Sequence, residues 1–310
     1  MQRIQYHRYG GPEVMRLETY ELPATLQGEV RVRIKAASIN PLDWKLRQGF
    51  MKLMMGGRFP RAMGLDFSGV VEESGPGVPG LSTGDEVLGT APMKSSGAFA
   101  EAVITTSNLL IKKPASLSFR DAAALPSVGV TAWRSLVDAG RLKAGQSVFI
   151  NGAAGGVGQA AICIAQALGA AVTVRVGSSW LAEAKRRGFV RVLNYNDTLP
   201  ADLEGAFDVV FDCHGSLSAK QEGFLTKHTG VAVDIDPTFG NLFRSLISSR
   251  HRFARGMPSQ VILQKVVDLA VVGKFPITIS RMAPLAEATA LISDLEGGKR
   301  VPGKALIIMD

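Results

Sequence analysis

Short alternating segments separated by glycine and proline fill the first third of the chain. In residues 29–35 apolar and charged side chains alternate, and similar short segments occur at 68–72, 85–88 and 98–103. Alternation with a period of two predicts strands with one buried face, and the Gly/Pro segments between them predict turns. Residues 1–119 are therefore predicted to form a compact β-rich domain.

The pattern changes after residue 118. Residues 119–136 are alanine-rich and helix-like, although Pro126 and Gly129 interrupt them. Strands and helices then alternate, which predicts a doubly wound parallel sheet. Strands are predicted at 147–150, 171–176, 190–193, 207–212 and 230–235, with helices at 157–168 and 180–187.

The last segment, from about residue 275, returns to short strands, and 305–308 is predicted to be a closing strand that rejoins the first domain. The predicted fold class is therefore α/β with two domains. A β-rich substrate domain comprises 1–119 and 270–310, and a domain built on the doubly wound parallel sheet comprises 120–269.

A glycine-rich segment, 151–158, lies between the first strand and the first helix of the parallel-sheet domain. Ala153, Gly155 and Gly158 occupy the three positions of the G-x-G-x-x-G fingerprint, which allow a tight turn, close approach of a pyrophosphate and close packing of helix on strand. Free N–H groups at the helix N-terminus then face the phosphates. This context favours a Rossmann dinucleotide site over a turn without a ligand. The predicted pyrophosphate contacts are Ala153, Gly155, Gly156, Val157 and Gly158.

The end of the second strand bears on which nicotinamide cofactor is bound. An NAD site requires an Asp or Glu about 20 residues beyond the loop, where it binds the ribose 2′-hydroxyl. No acidic residue occurs from Gly152 to Ala182, and the strand ends in Arg175-Val176, followed by Gly177, Ser178 and Ser179. An arginine and hydroxyl groups can bind a 2′-phosphate, so we predict NADPH as the cofactor. The alternative for Arg175 is a solvated charge at a strand end.

The chain carries 35 Lys and Arg against 27 Asp and Glu, a formal net charge of +8. Such a balance favours anionic partners, and it does not by itself choose between a phosphorylated cofactor, nucleic acid and a membrane surface. Basic residues cluster at 244–255 with few aromatic residues between them, which favours a solvated loop or a dimer edge over a nucleic-acid or membrane site. A weak anionic contact remains the alternative there.

Other sequence features bear on compartment. The two cysteines lie in apolar segments and the N-terminus lacks a signal-peptide pattern, so we expect a reducing, cytoplasmic setting. The uncharged stretch 144–174 is long enough for a membrane span. Because it contains polar residues and the glycine loop, we predict buried α/β core instead.

Seven segments carry a resemblance that covers nearly the whole chain in order: 37–45 (ASINPLDWK), 64–71 (GLDFSGVV), 84–87 (GDEV), 122–126 (AAALP), 129–133 (GVTAW), 152–158 (GAAGGVG) and 303–306 (GKAL). Together they resemble the medium-chain dehydrogenase/reductase superfamily, in particular its zinc-free quinone oxidoreductase (zeta-crystallin-like) branch. The Asp43-Trp44-Lys45 variant is most similar to the alkenal/one oxidoreductases.

The resemblance implies a GroES-like substrate domain, a Rossmann domain and a homodimer. It places Tyr195 on the 2′-phosphate side of NADPH. Relatives often have a lysine shortly after the second strand, whereas here the nearest is Lys185, which weakens the NADPH preference. Further cofactor contacts are predicted at Thr131, in a matched segment, and at Cys213 and His214, because ligands bind at the carboxyl ends of parallel strands. A local hydrogen-bonding role is the alternative for His214.

The resemblance also indicates a site without zinc. Where zinc-dependent relatives place the first metal ligand, this chain has Asn40, and where they have Gly-His-Glu it has Gly64-Leu65-Asp66. Neither cysteine lies in the first 162 residues, and the four histidines show no metal-ligand spacing. We therefore predict no metal, and reduction of an activated C=C bond or a quinone, since this needs only oxyanion stabilisation and a proton.

The turn after strand 29–37 carries the predicted catalytic residues. Asn40 is predicted to donate its amide to the acceptor oxygen, Lys45 to supply a positive charge and Asp43 to orient these groups. The alternative is that Asn40 and Asp43 form the turn around a proline. Trp44 and Leu65 are predicted to line the substrate pocket. The Met- and Gly-rich segment 51–60 either lines that pocket or is a loosely packed surface loop.

Three functions are compatible with these observations. The first is an NADPH-dependent reductase of enones, enals or quinones. The second is a zinc-free alcohol dehydrogenase-like oxidoreductase, and the third is a non-catalytic NADPH-binding protein with RNA or membrane contacts, which only the basic cluster supports. We predict the first, with a small-molecule substrate and without a nucleic-acid or membrane partner.

Overall fold

The computed structural model describes residues 1–236, 239–299 and 301–309. The strands, in chain order, are β1 (Gln2–Tyr6), β2 (Arg16–Thr19), β3 (Glu29–Ser38), β4 (Arg61–Ala62), β5 (Asp66–Ser74), β6 (Glu86–Thr90), β7 (Ala102–Thr106), β8 (Leu110–Lys112), β9 (Ser147–Asn151), β10 (Ala171–Val176), β11 (Arg191–Asn194), β12 (Phe207–Asp212), β13 (Thr226–Asp234), β14 (His251–Phe253), β15 (Ile279–Pro284) and β16 (Lys304–Ile308). The α-helices are α1 (Pro41–Arg47), α2 (Lys52–Met55), α3 (Phe119–Ala123), α4 (Pro126–Trp133), α5 (Gly156–Ala167), α6 (Ser178–Arg186), α7 (Ala219–Leu225), α8 (Phe239–Ile247), α9 (Gln260–Val271) and α10 (Ala288–Glu296).

The chain divides into two compact units. The β-rich unit comprises Met1–Ser127, Pro258–Val271 and Ile279–Asp310, and the parallel-sheet unit comprises Val128–Met257 and Val272–Thr278. The predicted α/β class, with a GroES-like β-rich domain and a parallel-sheet Rossmann domain, is confirmed.

The larger sheet of the β-rich unit has the order β15-β16-β3-β5-β6-β8, and β7 also pairs with β3. In β3 the side chains of Val30, Val32 and Ile34 lie in the core while Arg33 is exposed, as the alternating pattern predicts. β16 pairs antiparallel with β3 in a register that sets Leu306 opposite Ser38. The first residue of β16 consequently lies beside the end of β3, where α1 begins.

The parallel-sheet unit contains a sheet with the order β11-β10-β9-β12-β13-β14, and its pairings are parallel. The chain starts at β9, builds outward through β10 and β11, and returns to the other side of β9 with β12. In such sheets ligands bind outside the carboxyl ends of the strands at this point of reversal. The ends of β9 and β12 are therefore the place to look for a cofactor site.

The boundaries of the units differ from the predicted 119/120 and 269/270. Residues 120–127 belong to the β-rich unit, where the Ser68 hydroxyl donates to the Phe119 carbonyl at 2.5 Å. α9 belongs there too, because the Gln260 side chain donates to carbonyls near β8 at 2.6 and 2.8 Å. Residues 272–278 belong to the parallel-sheet unit, where the Thr278 N–H donates to the Gln159 side chain at 2.9 Å.

The alanine-rich stretch 119–136 is broken where the sequence suggests. α3 ends at Ala123, α4 starts at Pro126, and a π-helical segment, Arg134–Ala139, follows α4. A proline is well tolerated in the first turn of a helix and not inside one, which explains the break.

The predicted core stretch 144–174 forms β9, the glycine loop, α5 and part of β10. Helices long and apolar enough to cross a bilayer are absent from residues 1–236, 239–299 and 301–309.

Candidate functional site

The glycine loop joins β9 to α5. Gly152 has a φ of 92°, in the region that favours glycine. A Cβ on Gly158 would lie 2.2 Å from the Gly152 carbonyl oxygen and 2.6 Å from the Ala153 Cα, so only glycine lets α5 pack this closely against the loop. These two glycines are therefore required by the fold itself.

The N-terminus of α5 is open. Gly155 is exposed, and Gly156 and Val157 are half-buried. A Cβ on Gly155 would meet the Gly152 carbonyl oxygen at 3.6 Å, and no other described atom lies within 4 Å of it. The first-turn N–H groups of this 12-residue helix face the open space, because a glycine cap offers no side chain to accept from them. This geometry suits a pyrophosphate.

The loop after β12 is held against the glycine loop. The Asn151 side chain donates to Asp212 at 2.8 Å, and Asp212 accepts three N–H groups of the following loop at 2.7–3.0 Å. A Cβ on Gly152 would lie 2.9 Å from the His214 Cβ. Asp212 thus fixes His214 beside the glycine loop, at the point where the strand order reverses.

Cys213 lies between these residues, and its thiol points inward. Its N–H and its Sγ both donate to the Asn151 carbonyl, at 3.1 and 2.9 Å. Burial raises the pKa of the thiol. The side chain predicted to contact the cofactor is therefore occupied in joining the ends of β9 and β12.

Four predicted cofactor residues converge at the neighbouring strand ends. The rings of Tyr195 and His214 lie with their centroids 5.2 Å apart. A Cβ on Gly177 would lie 3.7 Å from the Tyr195 ring. The Ser178 hydroxyl, exposed at the start of α6, accepts from the Asn194 side chain at 2.9 Å. Two rings and a hydroxyl therefore surround the end of β10, and the positions directly after this strand carry no carboxylate.

Arg175 has a different role from the predicted one. Its side chain is buried, and its guanidinium donates to the Tyr195 carbonyl at 2.9 Å and to the Asp197 carbonyl at 3.3 Å. β10 ends at Val176, as predicted, but Arg175 lies opposite Leu193 of β11, and its guanidinium binds carbonyl groups of the loop that follows β11. Arg175 supports the loop that carries Tyr195. Ser178, which follows the strand, and Tyr195 remain as the candidate residues for a 2′-phosphate contact.

Thr131, on α4, faces a different neighbour. A Cβ on Gly256 would lie 2.4 Å from the Thr131 Oγ1, so glycine is needed for the chain to pass over this hydroxyl. The Thr131 carbonyl accepts from the Ser135 hydroxyl at 2.8 Å. The structure therefore places Thr131 against the segment after β14.

Buried charges meet at the turn between β3 and α1 in the β-rich unit. We call Asn40, Asp43, Asp66 and Lys304 the turn cluster. Lys304 donates to the Asn40 Oδ1 at 2.6 Å and to the Ile39 carbonyl at 3.0 Å. The Asn40 Nδ2 donates to Asp66 at 3.0 Å, and the Asn40 N–H donates to Asp43 at 2.7 Å. The amide of Asn40 is therefore held between an ammonium and a carboxylate.

Burial shifts the ionisation of this cluster. It raises the pKa of Asp43 to about 8, and the nearby Asp66 carboxylate adds to the rise while Lys304 opposes it. Burial also raises the pKa of Asp66 and lowers that of Lys304. These shifts follow from the cost of charge in a low-dielectric interior.

The predicted catalytic and pocket residues share this region, with one correction. Asn40 was predicted to donate to a substrate oxygen, whereas its side chain is buried and bonded to both Asp66 and Lys304. Asp43 accepts from the Asn40 N–H, which is the turn-forming alternative, and Lys45 and Trp44 are half-buried on α1. Leu65 is buried and packs with Leu46 and Met55 in a small apolar cluster.

The segment 51–60 is anchored at one point. Met55 is buried in the cluster with Leu65, whereas Leu53 is 95% exposed and Met54 is 72% exposed. One residue of the segment is therefore packed against Leu65, whereas Leu53 and Met54 form an exposed apolar surface.

A second buried group of charges lies at the edge of the parallel sheet. We call Glu222, Asp234, Arg244 and His251 the edge cluster. The His251 ring and the Asp234 carboxylate are 2.5 Å apart, and the Arg244 guanidinium lies 2.5 Å from Glu222 and 3.6 Å from Asp234. Burial and the Asp234 charge raise the pKa of Glu222 to about 7, and Arg244 opposes the rise.

Glu222, Asp234 and His251 offer ligand atoms within 4.8 Å of one another, which raises the question of a metal. The 2.5 Å contact between His251 and Asp234 is a direct hydrogen bond, shorter than the separation of about 3.3 Å between ligands on tetrahedral zinc. Arg244 already supplies a cation to the two carboxylates. The geometry fits an ion-paired cluster better than a metal centre.

The basic segment 244–255 is mostly engaged within the chain. Arg244 pairs with Glu222, Arg250 donates to the Lys227 carbonyl at 2.7 Å, and Arg252 donates to the Ala139 carbonyl. Arg255 is exposed. Three of these guanidinium groups therefore bind groups within the chain, while Arg250 and Arg255 remain exposed.

Sequence reasoning missed the contribution of Lys304, Asp66 and the edge cluster. Lys304 and Asn40 are 264 positions apart. The available signal was a lysine at the start of an otherwise apolar closing strand, in a family segment. The edge cluster is assembled from two helices and two strands, and its residues show no common spacing.

Comparisons with known proteins agree with this geometry. Residues 26–115 match the alcohol dehydrogenase GroES-like domain. The chain is 30% identical to the quinone oxidoreductase from Coxiella burnetii, over 100% of this chain and 99% of that one, with a TM-score of 0.91. It is 28% identical over 305 residues to the chloroplast envelope quinone oxidoreductase homolog of Arabidopsis thaliana, covering 93% and 92% of the two chains.

A further relative is the 2-methylene-furan-3-one reductase of Solanum lycopersicum, which is 36% identical over 224 residues, 69% of this chain and 57% of that protein. The open helix N-terminus at a Rossmann switch point and these full-length matches lead to one conclusion. The chain is an oxidoreductase that binds a nicotinamide cofactor. It belongs to the medium-chain dehydrogenase/reductase superfamily, in the quinone oxidoreductase branch.

Proposed function

We propose that this protein is a zinc-independent, NADPH-dependent reductase that transfers hydride to the activated C=C bond of an enone or enal, or to a quinone. The observation that carries the cofactor choice is the end of β10, where Ser178 and Tyr195 offer a hydroxyl and a ring and the positions 177–182 that follow the strand contain no Asp or Glu to repel a 2′-phosphate. The relatives, two quinone oxidoreductases and a furanone reductase, support the substrate class.

The open N-terminus of α5 and the residues beside the end of β10 suit this cofactor. The α5 N-terminus would bind the pyrophosphate through the N–H groups of its first turn, and Ser178 and Tyr195 would flank the phosphorylated ribose. The bound nicotinamide supplies the hydride. At the positions of a metal-binding relative this chain has the amide of Asn40 and the side chain of Leu65, neither of which suits zinc.

Turnover of a substrate panel tests the proposal. NADPH oxidation would be followed with an alkenal, a vinyl ketone, a para-quinone and a saturated aldehyde, with NADH in parallel. Consumption of NADPH with the alkenal or ketone, and none with the saturated aldehyde, is the expected result. Reaction with the quinone alone assigns quinone reduction. Reduction of the saturated aldehyde would favour an alcohol dehydrogenase-like enzyme and overturn the proposal.

Two glycine substitutions test the cofactor site separately. Gly155→Ala adds a Cβ where the protein has room, so the fold should keep its melting temperature while the Kd for NADPH rises about tenfold or more through contact with the pyrophosphate. Gly158→Ala forces a Cβ onto backbone atoms, so it should lower the melting temperature as well. Gly223→Ala, an exposed position of α7 where a Cβ has room, is the matched control: it should leave the NADPH Kd unchanged and should not lower the melting temperature. Unchanged NADPH affinity in Gly155→Ala would contradict this site.

Ser178→Asp tests the cofactor preference. A carboxylate at the first residue of α6 is compatible with the helix dipole and should not impair folding. It would repel a 2′-phosphate and accept from a 2′-hydroxyl, so the ratio of kcat/KM for NADPH over NADH should fall about tenfold or more. Equal kinetics with both cofactors before and after the change would remove the NADPH preference from the proposal.

A homodimer is part of the same proposal. β14 is the last strand in the order of the parallel sheet, so one side of it is available for pairing with a second copy. Light scattering after size-exclusion chromatography would show twice the chain mass of 33.0 kDa.

A further inference from the structure

Lys304 is buried. Among the described residues, the groups that its ammonium binds directly are neutral oxygens and not carboxylates. It donates to the Asn40 Oδ1 at 2.6 Å and to the Ile39 carbonyl at 3.0 Å, and it is 4% exposed. Both acceptors belong to the turn that connects β3 to α1. Lys304 itself comes from β16, which reaches the turn through its antiparallel pairing with β3.

The opposite side of the same amide is held by Asp66. This carboxylate accepts from the Asn40 Nδ2 at 3.0 Å, from the Ser127 N–H at 3.1 Å and from the Ser127 hydroxyl at 2.5 Å. Asp66 is fully buried at the start of β5. The amide plane of Asn40 therefore has an ammonium on its oxygen and a carboxylate on its nitrogen, which leaves one orientation for the side chain.

Stability alone does not account for this arrangement. Removing an ammonium and a carboxylate from water costs several kcal/mol for each ion, and well-packed apolar residues in their place are often neutral or stabilising. What the charges add is directional: a leucine or methionine could fill the volume, but it could not orient the Asn40 amide or hold the Ile39 carbonyl.

We propose that Lys304 is a positioning residue, which with Asp66 clamps the Asn40 amide and thereby fixes the turn that carries Trp44 and Lys45. This inference rests on the proposed reduction, for which Trp44 and Lys45 are expected at the substrate. Lys304 acts on the turn and not on the substrate. The turn continues into α1 through the Asn40 N–H, which donates to Asp43 at 2.7 Å. Loosening the amide would therefore displace the first turn of that helix.

The effect should appear in catalysis and not in cofactor binding. The glycine loop, Ser178 and Tyr195 belong to the parallel-sheet unit, whereas the turn cluster belongs to the β-rich unit. A displacement of about 1 Å at a positioned group can cost up to about a hundredfold in rate. Loss of Lys304 should thus reduce kcat with the enone about tenfold, with the NADPH Kd unchanged.

The experiment compares Lys304→Met with the double variant Lys304→Met/Asp66→Asn. The double variant removes the Asp66 charge together with the ammonium, so it should still fold if the single variant does not. The matched control is Arg47→Met/Glu296→Gln, which removes another buried ion pair of the same unit, also attached to α1, with a separation of 2.5 Å. For each variant we would measure kcat per NADPH-binding site, the KM of the enone, the NADPH Kd and hydrogen exchange of the amides in 40–46.

A drop in kcat in both Lys304 variants, with unchanged NADPH Kd, faster exchange at 40–46 and no drop in kcat in the control, supports the inference. If both Lys304 variants keep kcat within twofold of the wild type, the inference is overturned while the proposed reduction stands. If the control loses as much kcat as the Lys304 variants, the effect is general to α1 and the inference is overturned as well. If the wild type itself reduces none of the panel, the proposed function fails. In that case hydrogen exchange alone tests the clamp, and equal exchange rates at 40–46 in the wild type and the Lys304 variants would overturn it.

Discussion

The turn cluster and the edge cluster each bury two carboxylates with a basic partner, but they use the charges differently. In the edge cluster the groups touch one another, with Arg244 at 2.5 Å from Glu222 and His251 at 2.5 Å from Asp234. In the turn cluster the neutral amide of Asn40 lies between Lys304 and Asp66. Direct pairing neutralises charge, whereas pairing through an amide also fixes the orientation of a third group.

Both clusters contain a carboxyl group that resists ionisation. Burial raises the pKa of Asp43 to about 8 and that of Glu222 to about 7, and in each case a second carboxylate adds to the rise. Three experiments test how these clusters work, and they are given from the largest expected effect to the smallest.

Asp66→Ala should be the most damaging single change in the turn cluster. It removes the acceptor of three hydrogen bonds and the larger of the two carboxylate charges that favour the ammonium form of Lys304, Asp43 being the other, so we expect a loss of about 3–5 kcal/mol in unfolding free energy. Urea unfolding, analysed on the first transition of this two-unit chain, would measure it. Asp66→Asn keeps the shape and should cost less. A loss below about 1 kcal/mol would show that the interior is far better hydrated than its burial indicates.

The two clusters should lower the stability of the protein over different pH ranges. A carboxyl group whose pKa is higher in the folded protein binds more protons there, so stability falls as the pH rises from its unfolded to its folded pKa. For Asp43, faced by Asp66 and Lys304, the window runs from the ordinary 3.8 to about 8. For Glu222, faced by Asp234, Arg244 and His251, it runs from the ordinary 4.5 to about 7.

Melting temperatures measured from about pH 5 to about pH 9 test this, as differences from the wild type. Asp43→Asn should remove the part of the decline between pH values of about 7 and 8, and Glu222→Gln should affect only the part below about 7. Identical profiles for the two variants would mean that the clusters do not titrate independently.

The contribution of each serine hydroxyl bonded to Asp66 to the unfolding free energy should be larger for the shorter bond. Ser127→Ala removes a 2.5 Å bond to a carboxylate and should cost about 1.5–3 kcal/mol. Ser38→Ala removes a 3.4 Å contact and should stay within about 0.5 kcal/mol of the wild type. Thermal denaturation of both variants gives the comparison, and a larger effect at Ser38 would show that the oxygen of Asp66 facing it is the more important acceptor.

The parts of the site that the sequence predicted are local. The strand before the glycine loop, the loop itself and the helix after it follow one another directly in residues 147–167. Their spacing in the sequence is therefore enough to predict how strand, loop and helix are arranged. The bounds of β10 were predicted correctly, and Arg175 was misjudged because the carbonyl groups that its guanidinium binds lie 20 and 22 positions further along the chain, in the loop after β11. The position of a residue in a strand does not reveal which carbonyl groups a distant loop brings to its side chain.

The remaining parts depend on long-range pairing. Lys304 meets Asn40 only through the register of β16 on β3, and the edge cluster requires α7, α8, β13 and β14 to converge. Period and composition carry no information on which strand a distant segment will join. The correct domain order, by contrast, was predictable because each unit repeats one hydrophobic period over many residues.

The β-rich unit is interrupted by the parallel-sheet unit, which has a consequence for synthesis. Residues 36–38 of β3 pair with β16, and the pairing residue Leu306 lies 268 positions (306 − 38) after Ser38. At typical translation rates the ribosome needs roughly ten seconds to a minute to make that stretch. During this time that end of β3 offers unpaired N–H and C=O groups to any other strand in the cell, so the nascent chain should be most dependent on chaperones before its last strand emerges.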